Sequence, residues 1–365
     1  EQVRRWGLMI SDTVSTRRMP PNQAYGKLDF TPSRRPLGPE ELDILSRWVR
    51  TGMAEGQSIP ALQPPLAMGW TLGKPNRVLT LPQKIQMAAE ASDEFYQFDF
   101  DLGNDAPVWL DGFEVQAQDW RILRDVTVVI PNRESTPVQR SAVSSIFVGA
   151  DRWLGAWMVG STPRRNRSGA GIWVNPGEKV RVQLHYRGTG TARIDHPRIA
   201  LYEGVSPSES SIQPWIIELP DFDLPPNEME PIRSVTVDVK EPMRVHALRP
   251  RLRRFAKQVL LELERTPGRR EPVLTIPSWT YQFLASYRTE SSFTLRPGDR
   301  LHFTVTYDNT VSNPENPNRI PELVRKGSGP EDAAGGIVLG VTPIEPADAW
   351  GILWGLDWRE ARSSL

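Results

Sequence analysis

Short segments that alternate apolar and polar residues dominate this chain between an N-terminal helical stretch and the C-terminal tail. The clearest of them lie at residues 126–130, 180–186, 233–239 and 300–307. They are rich in β-branched residues, and a period of two is typical of strands with one buried face. Pro-Gly pairs at 176–177, 267–268 and 297–298 predict turns between such strands. The pattern predicts a mainly β protein built from antiparallel sandwiches.

One helix is predicted close to the N-terminus. Pro39 stands at its first turn, and Glu40 and Glu41 follow at the positive end of the helix dipole. Gly52 ends the helix. The apolar residues recur every 3.6 positions and are Leu42, Leu45, Trp48 and Val49.

The C-terminal tail carries three tryptophans, Trp350, Trp354 and Trp358, which would form a single stripe on a helix. Two glycines between them weaken a free helix. The stripe therefore either covers the protein's own second sandwich or contacts a partner or a lipid headgroup layer. An acidic, proline-rich stretch at 220–231 predicts the linker between two sandwiches. The chain divides into a helical segment at 1–59, a first sandwich at 60–225, a second at 226–345 and a tail at 346–365.

Composition excludes several kinds of chemistry. The chain of 365 residues contains no cysteine, which excludes cysteine zinc sites, iron–sulfur clusters and covalently attached c-type haem. It has 44 basic and 44 acidic residues, so no global charge favours nucleic acid. Its longest apolar runs are far too short to span a membrane. Only four histidines are present, and no two are spaced to grip a metal from one strand or one helical turn.

Four segments together resemble one known family. Residues 245–253 read Val-His-Ala-Leu-Arg-Pro-Arg-Leu-Arg, and the stretch from Tyr307 to Pro317 has a long, irregular spacing of Asp, Asn and Pro. With residues 69–75 and 183–190, they resemble bacterial relatives of the copper type II, ascorbate-dependent monooxygenases, the peptidylglycine alpha-hydroxylating family. The resemblance covers roughly residues 60–345. It implies two antiparallel, jelly-roll-like β-sandwich domains after the short helical segment.

The same resemblance implies where the copper ligands of that family would stand. The histidine pair of the first copper falls on Arg124 and Asp125, and the third ligand falls on His185, which is retained. The two histidines of the second copper fall on Arg251 and Arg253. The methionine ligand falls near Ala333 or Ala334.

One ligand of six therefore remains, and guanidinium groups have no free lone pair to offer a metal. No methionine occurs after Met243 that could restore the second site. We expect no copper and no other cofactor. We also expect Arg124 and Asp125 to contact each other, and Arg251 and Arg253 to be solvated or to bind an anion.

The N-terminal segment resembles the second half of a c-type cytochrome domain. In the run Arg17-Arg18-Met19-Pro20-Pro21, the resemblance places the axial haem ligand at Met19. Because the Cys-x-x-Cys-His motif is missing, no haem is expected. Met19 is instead predicted to pack in the protein core.

These features predict a non-catalytic accessory subunit, held on the periplasmic side of a membrane electron-transfer complex through its partners. A periplasmic cytochrome or a membrane redox complex is the expected partner, and a photosynthetic reaction centre is the narrowest candidate. The expected partner surface comprises Arg17, Arg18 and the three tail tryptophans. The alternative is an enzyme, either a copper-dependent monooxygenase with a relocated or single-copper site or a hydrolase that uses Asp and His.

Overall fold

The structure, a computed structural model, describes residues 3–19, 21, 23–28, 37–57, 69–131, 152–166, 170–204, 211–290, 293–327 and 332–344. Within these ranges the chain is mainly β, with two short helices followed by antiparallel sheets. The predicted fold class is confirmed. The tail positions Trp350, Trp354 and Trp358 lie outside the described residues.

The N-terminal segment is helical. A 3-10 helix at Val3–Trp6 leads into helix α1 (Gly7–Ser15), a two-residue strand β1 (Tyr25–Gly26) follows, and helix α2 spans Pro39–Arg50. The helix predicted after Pro39 is therefore confirmed. At its start the backbone N–H of Gly38 donates to the carboxylate of Glu41 at 2.9 Å. Among the described residues, no helix has both the length and the apolarity to cross a membrane.

The first sandwich consists of two four-stranded antiparallel sheets, ordered β2-β11-β5-β8 and β4-β9-β6-β7, with a small ribbon of β3 and β10 beside them. Its strands are β2 (Arg77–Thr80), β3 (Ile85–Met87), β4 (Asp93–Asp101), β5 (Val108–Gln116), β6 (Leu123–Ile130), β7 (Arg152–Met158), β8 (Ile172–Val174), β9 (Lys179–Arg187), β10 (Arg193–Asp195) and β11 (Arg198–Glu203). The inward residues of both sheets, such as Leu110 and Val182, form one apolar core.

The second sandwich repeats this plan with the sheets β1-β17-β16-β20-β14 and β12-β22-β15-β18, and β19 also pairs with β15. Its strands are β12 (Gln213–Glu218), β13 (Asp223–Leu224), β14 (Met229–Asp238), β15 (Met243–Leu252), β16 (Ala256–Thr266), β17 (Arg269–Ile276), β18 (Tyr287–Arg288), β19 (Thr294–Leu295), β20 (Arg300–Asp308), β21 (Val324–Arg325) and β22 (Gly335–Pro343). A second apolar core, which includes Leu261 and Phe303, lies between these sheets.

Both sandwiches have the strand order of a jelly roll. The eight main strands are β2, β4, β5, β6, β7, β8, β9 and β11 in the first sandwich, and β12, β14, β15, β16, β17, β18, β20 and β22 in the second. When these are numbered one to eight along the chain, one sheet of each sandwich has the order 1-8-3-6 and the other has the order 2-7-4-5. This order results when two Greek keys wrap around one core. The structure therefore contains two jelly rolls in sequence, as the resemblance implied.

The strand pairing differs from the predicted domain limits in two places. The predicted limit after residue 225 assigns Gln213–Glu218 to the first sandwich, but this strand pairs with β22 of the second. Ile217 is buried in the second core, which explains the pairing. The predicted linker at 220–231 is also not a plain connection, because β13 lies within it and pairs with β21.

The sandwiches pack against each other through the sheet β4-β9-β6-β7 of the first and the sheet β12-β22-β15-β18 of the second. Val129 and Trp153 from the first contact Val338 from the second in a small buried cluster. Gly340 on β22 makes room for the indole, since a Cβ there would lie 2.9 Å from Cε3 of Trp153. The molecule is thus a stack of four sheets with an apolar contact in the middle.

Asn309 holds together the loops at one end of the second sandwich. It is fully buried and follows β20, within the stretch from Tyr307 to Pro317 that carries the longest part of the family resemblance. Its side-chain amide donates to three backbone carbonyls, those of Leu224 at 2.9 Å, Pro225 at 3.0 Å and Glu322 at 2.8 Å. The motif therefore has a structural role at this residue, because one side chain satisfies carbonyls from two separate segments, 224–225 and Glu322.

We predict that Asn309→Ala lowers the free energy of unfolding by about 2–3 kcal/mol, because buried carbonyls lose their donor. Urea denaturation followed by tryptophan fluorescence measures this change. Asn318→Ala is the matched control, because the hydrogen bond at Asn318 uses its backbone N–H and not its side chain. The control should change stability by less than about 0.5 kcal/mol. Equal stability of the two variants would contradict the structural role of Asn309.

Candidate functional site

His185 lies where the two sandwiches meet. It occupies the central strand β9, where it pairs with Asp125 on β6 and with Phe95 on β4. The ring of Phe95 stacks on the imidazole, with centroids 4.4 Å apart and planes inclined by 12°. Only 4% of the His185 surface is exposed. The one retained position of the predicted copper sites is therefore a buried residue of the interface.

Both ring nitrogens of His185 bind carboxylates. Nδ1 lies 2.9 Å from Oδ2 of Asp125, and Nε2 lies 2.9 Å from Oδ1 of Asp93. An ionised carboxylate only accepts hydrogen bonds, so both nitrogens must donate and the ring is an imidazolium. Burial alone would lower the pKa of His185, but the hydrogen bonds and charges of Asp125 and Asp93 outweigh it and raise the pKa.

Arginines from the second sandwich bind the same two carboxylates. Arg249 on β15 is fully buried and donates from Nη2 to Oδ1 of Asp125 at 2.8 Å and from Nη1 to Oγ1 of Thr127 at 3.0 Å. Arg254 pairs with Oδ2 of Asp93. Each carboxylate thus joins His185 to an arginine across the interface. We call Asp93, Asp125, His185, Arg249 and Arg254 the bridging cluster.

The two carboxylates of the bridging cluster are held ionised. Burial opposes the charge of Asp125, but Arg249 and the hydrogen bond from His185 outweigh this and lower its pKa. The pKa of Asp93 is lowered in the same way, against burial, by His185 and then by Arg254. The cluster therefore combines two negative charges with three positive ones inside a largely buried interface.

Tyr281 covers the side of the bridging cluster that belongs to the second sandwich. The guanidinium of Arg254 lies over its ring, 5.3 Å from the centroid. The centroid of His185 is 6.0 Å away. Burial raises the pKa of Tyr281, and the nearby charge of Asp93 adds to the effect. Aromatic rings thus close the cluster on two sides, Phe95 from the first sandwich and Tyr281 from the second.

Asp125 does not pair with Arg124 as predicted, because His185 and Arg249 occupy its carboxylate. Arg124 lies at a β-bulge between Leu123 and Asp125, which turns it out of the regular alternation of β6.

The arginines at the second predicted copper site also differ from expectation. Arg251 is partly exposed and donates to Oε1 of Glu218 at 2.6 Å, so its charge has a protein partner. Arg253 is 7% exposed and is therefore not solvated, while the alternative expectation, that it binds an anion, stays a prediction. Arg253 follows the end of β15, and its burial lowers the pKa of its guanidinium.

The last predicted copper position lies in the backbone of a buried turn. Ala333 is fully buried, its N–H donates to the carbonyl of Arg325, and its carbonyl accepts from the N–H of Gly327. The carbonyl of Ala334 accepts from the hydroxyl of Tyr307 at 2.9 Å. These residues close the turn and offer no metal-binding side chain.

These side chains do not fit a copper ion. Both nitrogens of His185 are engaged as donors, and the cations Arg249 and Arg254 occupy the carboxylates beside it. A metal would have to displace two ion pairs and two protons. Across the part of the chain that the structure describes, no group of three or more His, Cys, Asp or Glu residues is placed to hold a metal ion.

The predicted haem and partner positions at the N-terminus make local contacts. Met19 is 45% exposed, so the prediction that it packs in the core is wrong. Arg17 donates from Nη1 to the hydroxyl of Tyr25 at 2.7 Å, and Arg18 pairs with Asp12. That these arginines bind a partner stays a prediction.

Sequence reasoning missed Asp93, Arg249 and Arg254 as members of the site. One signal was present for Arg249, because Ala247, Arg249 and Arg251 alternate along β15 and must share a face. Nothing local points to Asp93, which reaches His185 only through the pairing of β4 with β9.

No known protein-family model matches this chain, and no curated protein sequence matches it. Solved structures are only weakly similar to it, and two of them serve as examples. The structure of the infectious bursal disease virus Gx strain shares 7% identity over 74% of each chain, with a TM-score of 0.21. The C-terminal globular domain of an oligosaccharyltransferase from Pyrococcus abyssi shares 9% identity over 68% of this chain and 47% of that one, with a TM-score of 0.13. Likenesses at this level carry no argument about function.

We predict that Arg249→Met destabilises the protein by about 3–5 kcal/mol, because it leaves the buried charge of Asp125 without its arginine. Thermal or urea denaturation measures the loss. Arg251→Met is the control on the same face of β15. Its ion pair with Glu218 is partly exposed, so the loss should stay below about 1 kcal/mol. Similar losses in both variants would show that the bridging cluster does not hold the interface together.

Stability should depend on the charge of His185. Its pKa is raised above the ordinary 6.5, so its contribution is complete below pH 6.5 and is lost as the pH rises through the raised pKa. The free energy of unfolding should then fall by up to about 1.4 kcal/mol per pH unit above pH 6.5. Denaturation curves at several pH values should show this decline in the native chain and not in His185→Gln.

His246 provides a control, because its pKa is shifted in the opposite direction to that of His185. Burial and the charge of Arg244 lower its pKa to about 4, so its contribution is present above pH 6.5 and is lost as the pH falls toward 4. His246→Gln should therefore flatten the acid side of the stability profile and leave the decline above pH 6.5 intact. If His185→Gln keeps the alkaline decline, His185 is not the imidazolium described here.

Proposed function

We propose that this protein is a non-catalytic structural or accessory subunit whose role is to present a rigid surface to partner proteins. The observation that carries the proposal is the bridging cluster. The groups that would ordinarily do chemistry at such a site, two carboxylates and an imidazole, bind one another and two arginines across the interface. A catalytic acid or base needs a proton that it can exchange with a substrate.

The bridging cluster is poorly suited to hydrolysis as well as to copper chemistry. His185 would act as a base only after losing a proton that two carboxylates hold in place, and it is nearly inaccessible to a substrate. Asp125 and Asp93 have lowered pKa values, so neither is a ready proton donor. The same contacts do serve a mechanical purpose, because they hold two jelly rolls in one orientation.

Exposed apolar side chains in the N-terminal segment also support the proposal. Helix α1 and the 3-10 helix before it expose several large apolar side chains to solvent, namely Val3, Trp6, Leu8 and Met9. Leu8 is 81% exposed. Only Gly7 and Val14 of α1 are buried, so Leu8 and Met9 in its first turn remain open to solvent. A group of exposed apolar residues on two adjoining short helices is typical of a protein-binding surface.

Within this proposal the partner is a subunit of a membrane electron-transfer complex, and the protein lies on the periplasmic side. The sequence resemblance to a cytochrome half-domain joined to a copper monooxygenase-like region supports this choice, since both are components of redox proteins. A photosynthetic reaction centre is the narrowest candidate, and a periplasmic cytochrome is another. No partner chosen in this way requires the chain to hold a metal or haem of its own.

The test is capture of the partner by the full chain from solubilised native membranes. We predict recovery of a redox complex, identified by its haem or pigment absorption, and at least about tenfold lower recovery with Leu8→Ser/Met9→Ser. The matched control is Val311→Ser/Ile320→Ser, which removes two comparably exposed apolar side chains on a loop of the second sandwich. The control should bind as the native chain does.

Two results would contradict the proposal. The first is one copper ion per purified chain by elemental analysis together with ascorbate-dependent oxygen consumption, which would support the alternative of a monooxygenase with a relocated or single-copper site. The second is equal recovery with the helix variant and the control variant, which would show that α1 is not the binding surface.

A further inference from the structure

A second group of charges lies beside the bridging cluster, at the end of β9. Arg187 pairs in register with Asp93 across β4 and β9. The backbone N–H of Arg187 donates to the carbonyl of Ile122 at 2.9 Å, which brings the end of β9 beside the bulge that contains Arg124. Two guanidinium groups on neighbouring strands therefore flank one end of the interface between the sandwiches.

Neither arginine has a carboxylate of its own within the described part of the chain. No ion pair or side-chain hydrogen bond forms at Arg124 or Arg187 there, and both side chains are half-buried. Nε of Arg124 is buried and has no hydrogen-bond partner among the described atoms. A guanidinium that is partly removed from water in this way loses hydration without a compensating contact.

Asp93 is the acidic group nearest in register to Arg187, and both of its carboxylate oxygens already have partners. His185 binds one of its oxygens, and Arg254 pairs with the other. The surrounding charges therefore do not balance, because Asp93 and Asp125 face three cations of the bridging cluster before Arg124 and Arg187 are added. Burial lowers the pKa of Arg124, and the charge of Arg187 lowers it further. The second effect is expected when two like charges lie close together.

We propose that Arg124 and Arg187 form a binding site for a small oxyanion of the phosphate or sulfate class. Two guanidiniums present planar, forked donors that match the oxygens of such an anion. The anion neutralises the excess positive charge at the end of the interface, and Asp93 excludes it from the centre of the bridging cluster. The site is separate from the exposed face of α1 and does not depend on the proposed partner.

The experiment is titration of the full chain, dialysed free of multivalent anions, with inorganic phosphate and then with sulfate at constant ionic strength. Isothermal calorimetry gives the dissociation constant, and the thermal midpoint should rise with phosphate concentration relative to sodium chloride. We expect Arg124→Gln and Arg187→Gln each to weaken binding at least about tenfold. Two separate variants keep the test decisive if one of them fails to fold.

Arg319→Gln is the matched control. Arg319 is exposed on a loop of the second sandwich, so its loss lowers the net charge by the same amount without touching the site. It should bind phosphate as the native chain does. Stabilisation by phosphate that equals the effect of chloride at the same ionic strength would overturn the proposal. Undiminished binding in both site variants would overturn it as well, because the anion would then lie elsewhere.

Discussion

The ion pair between Asp125 and Arg249 is the interaction on which the arrangement of the two sandwiches depends. Arg249 is fully buried, so its charge is tolerable only because Asp125 and Thr127 accept its hydrogen bonds. Asp125 in turn needs both Arg249 and His185 to remain ionised in a buried environment. An apolar interface could slide with little loss, whereas fixed charges with directional hydrogen bonds favour one alignment of the two sheets.

The apolar contact beside the cluster supplies the complementary part of this interface. Trp153 reaches across the interface to β22 because Gly340 has no side chain to obstruct it. The cluster and the indole thus act over different parts of the same pair of sheets. The charged part specifies orientation, and the apolar part contributes burial. Together they explain how two jelly rolls with separate cores form one body.

The regular elements could be predicted from the sequence, but much of the interface could not. The alternation at residues 300–307 and the helix after Pro39 are local patterns, and both occur in the structure as expected. Asp93 and Arg249 are 156 positions apart and act together only because of strand pairing and domain packing. No local period reveals such a partnership. The domain limit was misplaced for a similar reason, since Pro-rich composition marks loops but does not show that β12 pairs with β22.

The strand β1 has a consequence for how the second sandwich avoids unwanted association. Strand β17 would otherwise end its sheet with open backbone groups, and open sheet edges invite pairing with other molecules. β1 covers only its apolar half, through Tyr25 opposite Thr275 and Gly26 opposite Leu274. The other half carries three charged residues, Arg269, Arg270 and Glu271, followed by Pro272, and resists pairing on its own. The helical segment that we propose as the partner-binding surface is therefore followed in the chain by a strand that covers an open sheet edge and so limits pairing with copies of the same chain.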